Sequence, residues 1–282
     1  MKTILIPTDF SENAWNALFT ALKLFYDQQC QFLLLHTYEL DLGSVVGDQG
    51  QQTLDDLYQS LDEDSRAKMK EIVAYLKSHH DNPRHAFQTF VKAGDLLGEV
   101  RRCIKKYPVD MIVMGTQGAT GAERILLGSN TVHLLKHIQN KPILTVPEAF
   151  DLQRLKHVVF PTNYMHYYEP FELQPMIDLV REWKATLHLV YAAREFKLNP
   201  TQESNRSLLE TRLAGLDVRW IETPINKRVS DTILGYSDSI RADLIALMQH
   251  KHSFLENLTR EKVARRIAFD SHVPLLNLPQ FL

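Results

Sequence analysis

Short apolar runs alternate with amphipathic segments along the first half of the chain. An uninterrupted apolar run is typical of a strand buried on both faces of a parallel sheet, and apolar residues at helical spacing indicate a helix with one buried stripe. Strands that alternate with helices predict an α/β fold with a doubly wound, Rossmann-like parallel sheet. The predicted strands are 2–7, 32–37, 86–91, 110–114 and 143–146, and the predicted helices are 11–28, 54–79, 97–107 and 130–138.

The second half of the chain repeats this pattern. Residues 159–163 repeat 5–9 with a shared Pro-Thr pair, 242–247 repeat 109–114, and 273–276 repeat 141–144. The second copy is about twenty residues shorter, mostly after its second strand. The repeat predicts two tandem domains, 1–148 and 154–282, each a parallel sheet of strand order 3-2-1-4-5.

Glycines cluster where the fourth predicted strand turns into a helix. Gly115 and Gly118 follow the strand, and nine residues later Gly128 precedes Ser129, which is placed to cap the next helix. Free amide groups and the helix dipole attract anions at such a crossing, and glycines let a phosphate approach the backbone. The spacing matches neither the dinucleotide fingerprint nor the P-loop. By itself, such a cluster is more often a set of ordinary turns than a phosphate site.

The fold and the glycines indicate the same place in the sheet. Ligands of doubly wound sheets bind beyond the carboxyl ends of the strands, where the strand order reverses. With order 3-2-1-4-5, the reversal falls between strands 1 and 4, which end at Asp9 and Gly115. The segment 39–53 contains three glycines and is either a loop that folds over a ligand or a plain surface connection.

These residues resemble the universal stress protein family. Gly115, Gly118, Gly128 and Ser129 are similar, spacing included, to the ATP-binding motif of that family, and 4–11 resembles its first strand with its adenosine-contacting aspartate. The resemblance is close in the first half and in outline in the second. It implies that the chain binds ATP, with or without Mg²⁺, in its first domain. The implied binding residues are Pro7, Thr8, Asp9, Thr37, Met114, Gly115, Gly118, Gly128, Ser129, Asn130 and Thr131.

The resemblance also implies how the two halves meet. Related single-domain proteins dimerise through their fifth strand, and here 143–146 and 275–278 are apolar strands that would leave an uncovered edge. We therefore expect the two halves to pair within the chain as a pseudo-dimer about a pseudo-two-fold axis, with 148–154 as the linker. Further homo-oligomerisation and the identity of a protein partner are left open.

The second domain lacks the residues of the implied site. Asn163 replaces Asp9, Met248 replaces Gly115, and Lys251 stands at Gly118. Likewise Arg260-Glu261 replaces Gly128-Ser129, and Asn226-Lys227 replaces Gly94-Asp95. Side chains would fill the space that a triphosphate needs. We expect one nucleotide per chain, bound by the first domain only.

Composition excludes several other classes of protein. The chain has 282 residues, 44% of them hydrophobic, and a net charge of -2, which does not favour nucleic acid or an anionic membrane. Its apolar runs are far shorter than the ~20 residues of a membrane helix. Cys30 and Cys103 have no metal-ligand spacing, so we expect buried thiols in a reduced, cytoplasmic protein. His250 and His252, with His157, His166 and His188 elsewhere, are too few and too scattered to predict zinc.

Three functions remain. The first is an ATP-binding regulatory protein of the stress response, which the resemblance implies. The second is an enzyme that hydrolyses ATP slowly, since only Asp9, Asp95 and Arg124 are near the site, whereas efficient phosphoryl transfer needs several carboxylates and cations. The third is a partner-binding scaffold that needs no nucleotide. The sequence favours the first and leaves enzymatic activity uncertain.

Overall fold

The computed structural model describes residues 1–39, 50–116, 127–225, 228–248 and 263–280. In the first half, the strands are β1 (Lys2–Pro7), β2 (Cys30–Tyr38), β3 (His85–Ala93), β4 (Met111–Gly115) and β5 (Ile143–Val146). In the second half, they are β6 (His157–Pro161), β7 (Thr186–Ala193), β8 (Asp217–Pro224), β9 (Leu244–Met248) and β10 (Leu275–Leu278).

Helices connect these strands on both faces of the sheet. In the first half they are α1 (Glu12–Leu24), α2 (Gly50–His79), α3 (Leu96–Lys106) and α4 (Ser129–His137). In the second half they are α5 (Pro170–Trp183), α6 (Pro200–Arg212), α7 (Val229–Ser239) and α8 (Val263–Asp270). Within the described ranges, no helix has both the length and the apolar composition of a membrane span.

All described strands join one sheet in the order β3-β2-β1-β4-β5-β10-β9-β6-β7-β8. Each half therefore has the predicted order 3-2-1-4-5, and its internal strand pairs are parallel. The two halves meet at β5 and β10, which pair antiparallel. The expected pairing of the two fifth strands is present.

The register at this junction locates the symmetry axis. Leu144 pairs with Leu276, which is its own counterpart in the repeat. On either side, Thr145 faces Leu275 and Ile143 faces Asn277. The pseudo-two-fold axis therefore passes through the Leu144–Leu276 pair, and the strands of the two halves point in opposite directions.

Two apolar layers hold the helices against the sheet. One face of β1 contributes Ile4 and Ile6 to a layer under α1, α2, α5 and α6, and the other contributes Leu5 to a layer under α3, α4, α7 and α8. All three side chains have no exposed surface. Because the strands are buried on both faces, they appear in the sequence as continuous apolar runs.

The linker and two helices fasten the halves to each other. The Asn16 side chain on α1 donates to the carbonyls of Pro147, Glu148 and Phe150. Trp183 at the end of α5 donates its indole N–H to the carbonyl of Leu24 at 3.0 Å. These bonds hold the linker and the second half against the end and the side of α1.

Candidate functional site

The strand order reverses between β1 and β4, and the region between the carboxyl ends of these two strands is called the crevice here. The paired positions of these two strands are Ile4 with Met111 and Leu5 with Ile112. Beyond Leu5, both strands continue, to Pro7 and Gly115, without further paired positions. The predicted residues Pro7, Thr8, Met114 and Gly115 therefore lie at neighbouring strand ends, beside the crevice that the fold rule indicates.

A tight turn displays Asp9 at the rim of this crevice. The Asp9 carboxylate accepts hydrogen bonds from the Ser11 amide, at 3.1 Å, and from the Ser11 hydroxyl, at 2.6 Å. Phe10 adopts a left-handed backbone conformation with φ of 66°, and its amide donates to the Thr8 hydroxyl. Asp9 is exposed, so the turn holds its carboxylate in a fixed position at the surface.

His36, at the end of β2, supports the same turn. Its Nδ1 lies 2.8 Å from the Thr8 carbonyl oxygen, which can only accept, so Nδ1 is protonated. Its ring also packs against Phe10 with centroids 4.3 Å apart. Burial lowers the pKa of His36, and the bond to Thr8 opposes this shift in part. A neutral imidazole therefore fastens the tip of β1 to β2, close to the predicted residue Thr37.

Packing explains the glycine at position 115. A Cβ added there would lie 2.3 Å from Oδ1 of Asn13, a buried side chain on α1. The Asn13 amide in turn donates to the Val146 carbonyl at 3.0 Å. The sequence interpretation, that Gly115 is small to admit a phosphate, misses this contact. Asn13 is not among the predicted residues, although it is a polar residue beside the apolar stripe of α1 and lies against Gly115.

Hydrogen bonds join the described residues on either side of segment 117–126. The Gly128 amide donates to the Thr116 carbonyl at 2.7 Å, and the Thr116 amide donates to the Val146 carbonyl at 3.0 Å. Thr131 is buried and donates its hydroxyl to the Gly115 carbonyl at 3.0 Å. These bonds hold the start of α4 against the end of β4.

The start of α4 corrects one expectation. Ser129 was expected to cap the helix, but it is the first helical residue, and Gly128 occupies the cap position with an extended backbone. Glycine has no side chain with which to cap, and no side-chain cap bond is present there. The first-turn amides of Ser129, Asn130 and Thr131 have no intrahelical acceptor. By contrast, Ser11 caps α1 and Asp95 caps α3.

Other predicted residues have different places. Asp95 accepts from the Gly98 amide at 2.8 Å as the cap of α3, which is a structural role. Gly118 and Arg124 lie outside the described residues, as does most of the expected loop 39–53. Residues 50–53 of that segment belong to α2, which begins at Gly50 and not at Leu54.

The second half keeps the turn but covers it. Tyr164 repeats Phe10 with φ of 57°, and Asn163 accepts from the Met165 amide at 3.0 Å. From α6, Gln202 donates to the Asn163 carbonyl and Asn205 to the Tyr164 carbonyl, both at 2.8 Å. Tyr164 is 2% exposed, and burial raises its pKa to about 12.

The counterpart of Gly115 in the second half is filled as well. Met248 ends β9 there, and its side chain is buried. The replacements at 226–227, 251 and 260–261 lie outside the described residues. Among those that are described, both changes near the strand ends, Asn163 and Met248, remove a feature of the first-half crevice.

Histidines and cysteines do not form a metal centre in the described chain. His157 Nδ1 lies 3.2 Å from His188 Nε2, and His188 Nδ1 lies 2.8 Å from the Tyr236 hydroxyl. The described residues contain no group of three potential metal ligands, and His250 and His252 lie outside them. Cys30 and Cys103 are buried free thiols, as expected, and burial raises the pKa of Cys30 to about 11.

The fold and the crevice define a class of protein. The chain is a tandem α/β protein of the doubly wound type, and the strand order of its first half reverses between β1 and β4. It belongs to the universal stress protein family, whose sequence pattern matches residues 1–147.

Individual relatives extend this assignment. A universal stress protein of Methanocaldococcus jannaschii is 30% identical over 158 residues, which cover 51% of this chain and 94% of that protein. A universal stress protein of Mycolicibacterium smegmatis is 25% identical over 239 residues, covering 73% of this chain and 79% of the relative. The crystal structure of a universal stress protein from Archaeoglobus fulgidus is similar with a TM-score of 0.71 at 16% identity, covering 99% of this chain and 98% of that one. The last similarity shows that the fold of both halves recurs together.

Proposed function

We propose that this protein binds one adenine nucleotide, ATP, in the crevice between β1 and β4, and that it acts as a nucleotide-dependent regulator in the stress response. The observation that supports this most strongly is the uncapped start of α4 at the mouth of that crevice. Unsatisfied amides at a helix start attract a phosphate because they donate hydrogen bonds and lie at the positive end of the helix dipole.

Each end of the nucleotide has residues suited to it. The amides of Ser129, Asn130 and Thr131 would hold phosphate oxygens. The fixed carboxylate of Asp9 can accept hydrogen bonds from hydroxyl groups, as those of a ribose, and Thr37 and the neighbouring backbone of β2 would face the base. The bond between the Gly128 amide and the Thr116 carbonyl holds the start of α4 against the end of β4.

The protein's own groups favour binding over rapid turnover. Efficient phosphoryl transfer needs carboxylates that hold Mg²⁺ and a base that orients the attacking water. In the described part of the site, Asp95 is committed to capping α3, and Asp9 is bonded to Ser11. The regulatory state would then be the protein with ATP bound and hydrolysed slowly, if at all.

The second half supports a stoichiometry of one. Its turn is covered by Gln202 and Asn205, and a buried methionine replaces Gly115. Asn163 also lacks the negative charge of Asp9. The second domain would serve as a structural mate of the first.

Calorimetric titration of ATP into the full chain, with and without Mg²⁺, tests the proposal. Asp9→Ala should weaken ATP binding about tenfold, while its counterpart Asn163→Ala is the matched control and should leave affinity unchanged. Gly118→Val should also weaken ATP binding about tenfold or more, because a branched side chain obstructs the phosphates. We expect a stoichiometry near one throughout.

Two results would contradict the proposal. Unchanged ATP affinity in both Asp9→Ala and Gly118→Val would show that the nucleotide does not occupy this crevice. A stoichiometry near two, or loss of binding in Asn163→Ala, would show that the second half has a site of its own.

A further inference from the structure

A groove with three cations along its rim lies between α2 and β3, away from the nucleotide crevice. Its volume is about 400 Å³. Met69 and Val91 form its apolar floor, and both are buried. Arg66, Lys70 and Lys77 line it from α2, and no described carboxylate lines it. The groove therefore combines an apolar base with a positive rim.

Two of these three cations have no partner in the described chain. Arg66 pairs with Asp62 one turn earlier on α2. Lys70 and Lys77 form no ion pair with any carboxylate in the described ranges, and both are exposed. Charges of one sign beside an apolar surface favour a ligand that is both apolar and anionic.

The second half shows how the equivalent groove is filled. Leu35 pairs with Phe90 in the first half, and its counterpart Val190 pairs with Ile221. Phe90 therefore corresponds to Ile221. By the same register, Thr89 corresponds to Trp220, and Val91 corresponds to Glu222. An indole and a carboxylate of the chain thus occupy, in the second half, positions that a threonine and a valine hold in the first.

These two side chains share one cation of the second half. The Arg206 guanidinium on α6 lies 5.6 Å from the centre of the Trp220 ring, and its Nη1 lies 3.5 Å from the Glu222 carboxylate. A flat aromatic body and a carboxylate together satisfy a cation and cover the apolar layer beneath it. The first half has the cations and the apolar layer but neither covering group.

We propose that the α2–β3 groove is a second ligand site, specific for small aromatic carboxylates. The ring covers Met69 and Val91 in the space that Trp220 fills in the other half. The carboxylate binds Lys70 and Lys77 as Glu222 binds Arg206. The site is independent of the nucleotide, since it lies on the far side of β2 from the crevice between β1 and β4.

A titration with indole-3-acetate, which joins an indole to a carboxylate, tests this. Amide spectra of the deuterated, ¹⁵N-labelled full chain should shift at 66–77 and 89–91, with a dissociation constant on the order of 1 mM, as expected for a ligand of this size. Thr89→Trp places the chain's own indole in the groove and should weaken binding at least about tenfold.

Charge is tested separately, so that the result does not depend on the folding of Thr89→Trp. Lys70→Gln combined with Lys77→Gln should weaken binding about threefold to tenfold, and more at low salt. Lys105→Gln, an exposed lysine of α3, is the matched control and should leave binding unchanged. Indole-3-acetamide, which has no charge, should bind more weakly than indole-3-acetate.

The proposal is overturned if indole-3-acetate causes no shifts at concentrations up to about 5 mM. It is also overturned if the shifts lie elsewhere, such as at the junction of the two halves. The proposal is likewise overturned if indole-3-acetate and indole-3-acetamide bind with the same affinity, or if the double lysine variant binds as tightly as the wild type.

Discussion

Gly115 shows how a single residue can serve packing where its sequence context suggests a ligand. The space beside its Cα is taken by the Asn13 side chain, which also bonds to the last residue of β5. Asn13 thereby joins α1, β4 and β5 beside the crevice. A side chain at position 115 must displace this amide or shift the strand.

Gly115→Ala should therefore lower the free energy of unfolding by about 1 to 3 kcal/mol. Asn13→Ala should lower it by about 1 kcal/mol through loss of the bond to Val146. In the Asn13→Ala background, the cost of Gly115→Ala should fall, because the clashing amide is gone. Urea unfolding of the two single variants and the double variant measures this coupling.

Gly235→Ala is the control for the loss of a glycine as such. It lies inside α7, and no described atom is within 4 Å of an added Cβ, so alanine should stabilise the helix by about 0.5 to 1 kcal/mol. If Gly115→Ala is as harmless as Gly235→Ala, or if the double variant is simply additive, the packing account of Gly115 is wrong.

The sequence could indicate which residues lie at the strand-order reversal but not what each one contacts. Gly115 and Asp9 are recognisable because they end apolar strands and match a family motif. The role of Asn13 depends on a contact with residues more than a hundred positions away, which no local pattern contains. Helix α4 begins at Ser129, one residue before its predicted start. The prediction took Ser129 for the cap, because serine is a common cap residue, whereas Gly128 occupies the cap position.

At the scale of elements, strands were easier to predict than helix ends. Parallel strands buried on both faces give continuous apolar runs, so β1 and β5 have their predicted bounds. Helix α2 extends four residues before its predicted start, because glycines in 39–53 suggested a loop and Gly50 is helical. Helix α1 ends at Leu24 and not near Gln28, since Phe25 has already left the helical conformation. Apolar periodicity locates the buried face of a helix, but it does not mark the residue at which the backbone leaves the helical conformation.

Strand β5 yields a prediction about its isolated half. In the whole chain, β10 covers the edge of β5, and all four residues of β5 are buried. A fragment containing residues 1–150 would expose that edge, and exposed apolar edges pair. The fragment should therefore dimerise, with Leu144 of one copy facing Leu144 of the other. Light scattering over a range of concentrations measures the association.

The full chain at the same concentrations is the control, since its β5 is already paired. A fragment that stays monomeric at about 100 µM would contradict the prediction. In that case, the covalent link, and not the affinity of the two edges, would hold the halves together.

At the scale of the whole molecule, each half contains a pair of adjoining histidines. In the first half, His80 Nε2 lies 2.8 Å from His85 Nδ1, and burial lowers the pKa of both. In the second half, His188 is 1% exposed, and burial together with the neighbouring His157 lowers its pKa to about 4. Arg219 acts in the same direction, and Asp217 opposes it.

Acid should therefore destabilise the fold well before its carboxylates are protonated. Between the ordinary histidine pKa and about 4, the unfolded chain binds a proton that folded His188 does not, so stability falls as the pH decreases. From pH 7.5 to pH 5, His188 should account for a loss of about 2 kcal/mol in the free energy of unfolding. Urea unfolding at a series of pH values measures this slope.

His188→Leu should flatten that slope, because leucine binds no proton in either state. Leucine suits the position, since Leu33 is the equivalent residue of β2. His272→Gln replaces an exposed histidine and should leave the slope unchanged. A His188→Leu variant with the pH dependence of the wild type would assign the acid sensitivity to other groups.

The pseudo-two-fold axis through Leu144 and Leu276 has a consequence for how this chain can change over generations. In a dimer of identical subunits, every mutation appears twice, and a change near the axis meets its own copy across it. Here Thr145 faces Leu275 and Ile143 faces Asn277, so equivalent positions at the junction have already become different. Each half can thus acquire a mutation that the other does not share. The arrangement gives natural selection two independent surfaces where a symmetric dimer would offer only one.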